Sequence, residues 1–423
     1  MDVIKWFGGQ VTRCALKNPE GARRLLLAGY RANRFTFGLP FSAKGRTSAQ
    51  RLAASSVISV TIEALAHPER AALVSIFTPS ELLLAAGITP YSLETISGYL
   101  MGTKCEIRFQ EIAVEQGASD TLCSFHRTFL GAAENGLVPI PRFVIYTSLA
   151  CDGNMITFPY VQQKFHVPEF FIDVPYEKSE DSVREVERQL REMKVFLEDM
   201  TGKHIADDTL RTVAYCSRLS AEKYLECLKA RAERRLPADM TGEMYGVIMS
   251  RMLLGSEESV AYFTRLAQET EQAPLSTAKR LVWIHVLPYM QPSLQRLLNF
   301  QNQVVITGCD LGYDAMLLPL EEDQPYRSMA RRLVYSGYNG DPQGRIQNAL
   351  KVAKLTRADG AVIFAHWGCK PTLGAARLMK DALEGEGLPT LVLDGDACCP
   401  ANSGDGQIAT RMEAFLEILE ERR

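Results

Sequence analysis

Several cysteines of this 423-residue chain stand just past the end of an apolar, strand-like segment. They are Cys151 after Phe143–Leu149, Cys309 after Val304–Thr307, Cys369 after Ala361–Ala365, and Cys398 a few residues beyond Leu391–Asp394. The carboxyl ends of parallel strands line the crevice in which open α/β sheets bind ligands. The pattern therefore predicts that thiols from both halves of the chain reach one cleft. A metal or iron–sulfur centre built from distant thiolates would need this arrangement.

A second property is shared by Cys123, Cys151 and Cys369, each of which lies at or near the amino end of a predicted helix. The free N–H groups and the dipole of a helix N-terminus stabilise a thiolate or an anionic cluster. Three thiolates without a fourth would leave one iron open, as a catalytic centre needs. The alternative is that these cysteines are small buried hydrophobes, which is how we interpret Cys216 and Cys227.

The motifs that the sequence lacks narrow the choice of chemistry. There is no Cys-x-x-Cys, so ribbon-type zinc sites and ferredoxin-type clusters are disfavoured. There is also no Gly-x-Gly-x-x-Gly after a strand and no Gly-x-x-x-x-Gly-Lys-[Ser/Thr]. Binding of a dinucleotide, or ATP hydrolysis at a P-loop, is therefore not expected.

Composition limits the class of protein. Hydrophobic residues make up 46% and charged residues 23%, with a net charge of −3, so nucleic acid is not an expected partner. No apolar run is as long as a membrane span, and the first residues lack the layout of a signal peptide. The protein is expected to be cytoplasmic, where ten cysteines serve better as ligands than as disulfides.

The order of predicted elements gives the fold class. We expect an α/β protein in which two related parallel-sheet domains face a shared cleft, at residues 71–178 and 301–423, with a helical N-terminal segment at 1–70 and a helical region at 179–300. The two domains share a pattern of strand, cysteine, helix and a Pro-led strand ending in Asp. This pattern indicates an internal repeat of βαβ units.

Polar residues beside the cysteines have two interpretations each. His126 and His366 could donate protons beside a cluster or could be hydrogen-bonded groove histidines. Lys370 could neutralise cluster or substrate charge or could lie in solvent. Ser124 could hydrogen-bond a cluster sulfur or cap a helix, and Gly368 fits a tight strand-to-helix turn with close backbone approach.

At this point the sequence resembles the 2-hydroxyacyl-CoA dehydratase and benzoyl-CoA reductase cluster-subunit family. The motifs that carry the resemblance are Leu122–Phe125, Ala150–Asn154, Phe171–Tyr176, Gly368–Pro371 and Leu393–Asp396. The resemblance implies two α/β domains plus a helical part and a [4Fe–4S] cluster on Cys123, Cys151 and Cys369. It also implies an ATP-hydrolysing activator, an iron–sulfur protein of the actin-like ATPase class, that delivers low-potential electrons.

The segments Gly102–Cys105, Cys123–His126 and His366–Lys370 look more like the double-cubane cluster proteins of this family. That branch implies two [4Fe–4S] cubanes joined by a sulfide and ATP-dependent reduction of small molecules. Cys105, Cys309 and Cys398 would be the second set of ligands, with Cys399 as the alternative to Cys398. A homodimer is then expected, whereas the family dehydratases imply a heterodimer of related subunits.

Three hypotheses follow. The first is an oxygen-sensitive iron–sulfur reductase component that receives electrons from a separate ATPase. The second is a 2-hydroxyacyl-CoA dehydratase subunit with a single [4Fe–4S] cluster, which the resemblance links to a ketyl-radical mechanism. The third is a non-enzymatic protein whose cysteines are structural or store iron.

Overall fold

The computed structural model describes residues 2–37 and 45–422. Its strands are β1 (Ala71–Val74), β2 (Thr89–Ser92), β3 (Val144–Thr147), β4 (Glu169–Ile172), β5 (Lys279–Ile284), β6 (Val304–Cys309), β7 (Gly360–His366) and β8 (Thr390–Gly395). Its α-helices are α1 (Val3–Ala15), α2 (Pro19–Phe37), α3 (Ser48–Ala66), α4 (Ser80–Ala85), α5 (Leu93–Gly102), α6 (Glu106–Glu115), α7 (Ser124–Glu134), α8 (Asn154–Phe165), α9 (Glu180–Thr201), α10 (Asp207–Ala230), α11 (Met240–Met252), α12 (Glu257–Gln272), α13 (Pro292–Leu298), α14 (Asp310–Met316), α15 (Pro325–Val334), α16 (Gln343–Thr356), α17 (Lys370–Gly385) and α18 (Asp405–Glu421). Short 3-10 helices occupy Pro68–Arg70 and Pro400–Asn402.

The strands form two parallel four-stranded sheets with the same topology. The first has the order β2-β1-β3-β4 and the second the order β6-β5-β7-β8. In each sheet the order reverses between the two central strands, β1 and β3 or β5 and β7, and such a switch point is where open α/β sheets bind ligands. The predicted fold class, two related parallel-sheet α/β domains with additional helices, is confirmed.

The central strands consist of apolar residues because helices cover both of their faces. All four residues of β1 and of β3 are buried, as are all seven of β7. The registers Leu73↔Val144 and Leu281↔Gly360 join the central strands of the two sheets. The rigid sheets therefore fix the positions of the loops that follow these strands.

The helical parts differ in two respects from the expectation. Helix α3 is buried along most of its length and packs against α11 and α12, so the N-terminal helices share the core of the protein. Strand β5 lies inside residues 179–300, which were expected to be helical, and it is a central strand of the second sheet. Its first two residues, Lys279 and Arg280, are charged, and only the last four are buried, which left a weak strand signal.

Buried ion pairs connect the layers. The guanidinium of Arg332, on α15, contacts the carboxylate of Glu81, on α4, at 2.7 Å, and that of Arg345 contacts Asp310 at 3.1 Å. Removing one partner of such a pair would leave a buried charge without compensation. In the described part of the chain, no helix combines the length and apolarity needed to cross a bilayer.

Candidate functional site

A cavity of about 440 Å³ lies where the switch points of the two sheets face each other. Its walls include residues from the loops that follow all four central strands. They are Ile76 and Phe77 after β1, Ala150 and Cys151 after β3, His285 and Val286 after β5, and Gly368 and Cys369 after β7. The topology of the two sheets therefore directs four loops into one apolar-walled space.

Three thiols line this cavity: Cys123, Cys151 and Cys369. Cys123 is the N-cap residue of α7 and Cys369 the N-cap residue of α17, while Cys151 lies just before α8. All three are half-buried and free of disulfides. The structure thus brings together the trio that the sequence predicted, from positions far apart in the chain.

Electrostatics explains why these thiols need a partner. Burial raises the pKa of the Cys123 thiol well above its usual range, and the neighbouring Cys151 and Cys369 raise it further. Burial likewise raises the pKa of Cys151, with contributions from Glu94 and Cys369. Backbone N–H groups act in the opposite direction, from Phe125 and His126 for the Cys123 sulfur and from Asn154 and Gly153 for the Cys151 sulfur. Thiolates here would be stabilised by helix N-termini and by a cationic partner.

Two buried histidines face two of the thiols. The Nε2 atom of His366 lies 3.2 Å from the Cys123 sulfur, and that of His126 lies 3.4 Å from the Cys151 sulfur. The N–H of Ala397 donates to Nδ1 of His366 at 3.1 Å, so the proton of the neutral ring is on Nε2 and points at the sulfur.

Burial lowers the pKa of His126 to about 3 and that of His366 to about 4. Both rings are therefore neutral near pH 7. A neutral ring can donate a hydrogen bond to a sulfur without carrying a charge into the core. The role of these histidines as proton donors stays a prediction.

Close backbone contacts set the distance between the two halves of the site. Gly368 has a φ of +78°, and a Cβ added there would lie 2.6 Å from the backbone nitrogen of Cys123. Glycine is therefore required for the turn after β7 to approach the start of α7. Ala150, just before Cys151, also has a positive φ of +66°, a strained conformation at the edge of the site.

A sequence model of the family described as 2-hydroxyglutaryl-CoA dehydratase, D-component, matches residues 75–419. The chain belongs to this family. The match begins directly after β1 and covers the other seven strands and all three cavity thiols, so the dehydratase family is shown for the part of the chain that forms the site.

Individual dehydratase subunits are similar at lower identity. The chain is 25% identical to the (R)-phenyllactyl-CoA dehydratase alpha subunit of Clostridium sporogenes, over 73% of this chain and 79% of the relative. It is 24% identical to the lactoyl-CoA dehydratase subunit alpha of Anaerotignum propionicum, over 85% and 92% of the two chains. The beta subunit of the C. sporogenes enzyme is 23% identical over 81% and 90%. Since these relatives are dehydratase subunits, the protein is a component of an enzyme.

An iron–sulfur cluster of the kind this dehydratase family implies can be tested against the donor set. Three thiols line one cavity, the pKa values of Cys123 and Cys151 are raised in part by neighbouring thiols, and helix N-terminal N–H groups point at these two. Thiolate ligands with N–H donors to sulfur are what such clusters require, so the residues fit. Among the described residues, no three His, Cys, Asp or Glu side chains are grouped closely enough for a single metal ion.

The proposed second set of ligands is placed elsewhere in this dehydratase-family fold. The thiols of Cys105 and Cys309 donate to backbone carbonyls, of Leu100 at 3.3 Å and of His285 at 3.4 Å. The Cys398 sulfur lies 3.7 Å from the Thr128 hydroxyl.

Cys399 caps a short 3-10 helix. None of these four cysteines lines the cavity. The structure therefore does not bring Cys105, Cys309 and Cys398 together with the first trio, and their role as ligands stays a prediction.

Of the remaining predicted site residues, one lines the cavity and one does not. Lys370 is exposed and lines the cavity at the start of α17. Ser124 is fully buried and donates a hydrogen bond to the carboxylate of Asp396, which also accepts from the N–H of Cys398. The hydroxyl of Ser124 thus holds the loop after β8 against α7, outside the cavity.

Two functional candidates were missed by the sequence analysis. Glu94 lies at the start of α5 and lines the cavity, with one carboxylate oxygen buried and without a hydrogen-bond partner in the described chain. Burial raises the pKa of Glu94 to about 7. The second is His285, directly after β5, which also lines the cavity. Neither residue stands in a recognisable motif, and only the chain fold brings them to the thiols.

Proposed function

We propose that this chain is the cluster-carrying component of a 2-hydroxyacyl-CoA dehydratase. Cys123, Cys151 and Cys369 would hold one [4Fe–4S] cluster. The observation that carries the proposal is the convergence of these three thiols on one cavity at the facing switch points of two sheets. Membership of the dehydratase family supports the reaction class.

The bound cluster would supply a low-potential electron and an iron with an open coordination position. The protein itself supplies the environment of the cluster site. Apolar walls such as Phe77, Leu311 and Val286 exclude water from the cavity. The Nε2–H group of His366 would donate to the Cys123 thiolate, and helix N-termini add further N–H donors. Hydrogen bonds to ligand sulfurs are one means by which a protein tunes a cluster.

Dehydration also requires proton transfer, because the hydroxyl group leaves as water. Glu94 is suited to this task, since a pKa of about 7 lets its carboxyl group both give and take a proton near neutral pH. It lies in the cavity close enough to Cys151 to influence the pKa of that thiol. We assign Glu94 the role of proton carrier between the reacting acyl group and the cavity mouth.

The partners are part of the proposal. The chain resembles both the alpha and the beta subunit of one dehydratase, which is consistent with either a homodimer or a pair of related subunits. We propose an ATP-hydrolysing iron–sulfur activator as the source of electrons, because the described chain has no P-loop of its own. A cytoplasmic location fits a protein with ten free thiols.

Reduction of a small molecule at a double cubane was the leading hypothesis from the sequence. The relatives named above are dehydratase subunits, and the second set of thiols lies outside the cavity. Both observations favour the dehydratase. Iron and sulfide analysis of the anaerobically purified protein separates the two, since one cubane holds about four iron atoms and two hold about eight.

The function is tested by assaying that protein with an ATP-dependent activator and a panel of 2-hydroxyacyl-CoA esters, including lactoyl- and phenyllactyl-CoA. We expect formation of the 2-enoyl-CoA from at least one ester, dependent on ATP. Cys369→Ala should abolish both iron binding and turnover, whereas Cys216→Ala, on the distant helix α10, should preserve both. Reduction of other small molecules with no dehydration of any ester would contradict the proposal.

A further inference from the structure

His285 occupies an unfavourable backbone conformation at the carboxyl end of β5. Its φ is +80°, in the left-handed region that glycine adopts without cost and that other residues rarely adopt. Such strain persists where the surrounding structure enforces it, and it concentrates at functional sites. Glycine would adopt this backbone conformation without strain. The presence of histidine therefore indicates that the imidazole itself has a role.

Buried hydrogen bonds hold this turn in place. The N–H of His285 donates to Oδ1 of Asp310 at 2.7 Å. The other oxygen of Asp310 accepts from the hydroxyl of Tyr338 at 2.9 Å and from the guanidinium of Arg345 at 3.1 Å. Arg345 in turn donates to the hydroxyl of Thr372 at 3.0 Å, on the helix that Cys369 caps. This network fixes the backbone of His285 and makes no use of its imidazole.

The imidazole of His285 is directed to the site and has an unused nitrogen. The residue lines the cavity, and its ring centre is 6.3 Å from that of His366, which contacts the Cys123 sulfur. Its Nδ1 atom is buried and has no hydrogen-bond partner within residues 2–37 and 45–422. An unsatisfied buried nitrogen destabilises the folded protein unless a ligand supplies the partner.

We propose that His285 binds the 2-hydroxyl group of the acyl substrate through Nδ1 of its imidazole, an inference that rests on the proposed function. The imidazole is suitably placed, because its ring lies beside the His366 ring, which contacts the Cys123 sulfur. The reacting end of the acyl group must lie next to the three cavity thiols. A hydroxyl group fits either neutral tautomer, because it can donate to a bare nitrogen or accept from an N–H. A thioester carbonyl can only accept.

Binding without turnover tests this assignment. In the absence of the ATPase activator, the affinities of lactoyl-CoA and propionyl-CoA, which differ only in the 2-hydroxyl group, are measured by calorimetry under anaerobic conditions. Wild-type protein should prefer lactoyl-CoA by about tenfold. His285→Gly should reduce that preference towards equal affinity without lowering the melting temperature, because the glycine relieves the backbone strain. His285→Asn should retain part of the preference, since Asn tolerates this conformation and keeps a polar amide.

A matched control is available at another histidine with positive φ. His166 has a φ of +54° as the exposed C-cap residue of α8, outside the cavity. His166→Gly should relieve similar strain and leave the ligand preference unchanged. Full preference for lactoyl-CoA in His285→Gly, with or without a lower melting temperature, would assign the ring to packing and overturn the inference. Wild-type protein that binds neither ester would overturn the proposed function and the inference with it.

Discussion

Replacing Glu94 by Gln removes a titrating carboxyl group from the cavity while keeping its shape. Burial, the largest cause, raises the pKa of Glu94 from 4.5 to about 7 in the folded protein. In the unfolded chain the group titrates near its ordinary value. The difference between the two pKa values corresponds to up to about 3 kcal/mol of folding free energy, at about 1.4 kcal/mol for each pH unit.

The sign of the effect follows from which state binds the proton more tightly. Below about pH 4.5 both states are protonated and Glu94 costs nothing. Between pH 4.5 and 7 the unfolded chain releases its proton first, so the folded protein loses stability, and above pH 7 the full cost of about 3 kcal/mol remains. Glu94→Gln should therefore stabilise the protein at pH 8 and have little effect at pH 4.

The assay is urea denaturation of the cluster-free protein at both pH values. The pKa values of His126 and His366 are shifted by burial and by neighbours other than Glu94, so the comparison of variant and wild type at each pH reports mainly on the carboxyl group. Glu106→Gln is the matched control, since burial also raises the pKa of Glu106 to about 7 and this residue lies outside the cavity. Both variants should show the same pattern of stability, but only Glu94→Gln should impair dehydration.

Equal stabilisation by Glu94→Gln at pH 4 and pH 8 would refute the electrostatic argument. Unimpaired turnover in a variant with the expected stability pattern would refute the assignment of Glu94 as the proton carrier and leave the electrostatics intact.

Three further outcomes are expected. Cys369→Ala should lower bound iron from about four atoms per chain to nearly none, whereas Cys309→Ala should leave the iron content unchanged. The iron content is measured by elemental analysis, and equal losses in the two variants would contradict the single-cluster site. Gly368→Ala should displace the facing helix start and reduce iron retention, while Gly374→Ala, with open space around its Cβ, should not. Arg345→Met should lower the free energy of unfolding by about 3–5 kcal/mol, because it leaves a buried carboxylate unpaired, and a loss below 1 kcal/mol in chemical denaturation would contradict this.

Much of the fold could be predicted because apolar runs and turn residues act locally. The segments around β3 and β7 are almost wholly buried and appear in the sequence as uninterrupted apolar runs. The repeat of strand, cysteine and helix corresponds to two sheets of identical strand order. Strand β5 was missed because two charged residues begin it, and its identity depends on pairing with β6 and β7.

The sequence predicted only part of the site, because strand order decides which strand ends reach the cavity. Every strand of a parallel sheet has a carboxyl end, but the ends beside the switch point open most directly onto the cleft. Cys151 and Cys369 follow the central strands β3 and β7 and line the cavity, whereas Cys309 ends the edge strand β6 and Cys398 follows the edge strand β8. Strand order is set by tertiary packing and is not readable from local sequence. Glu94 follows the edge strand β2 and still lines the cavity, and it was missed because no motif marks it.

The internal repeat also explains why three thiols, rather than an even number, face the cavity. Cys151 after β3 and Cys369 after β7 hold equivalent positions in the two repeated domains. Cys123, at the start of α7, is the third, and it comes from a helix of the first domain without a matching thiol among the cavity residues from the second. The loop after β5 contributes His285, where the equivalent loop after β1 contributes Ile76 and Phe77. The symmetry of the fold thus supplies two of the three thiols, and departures from it supply the third thiol and the imidazole of His285.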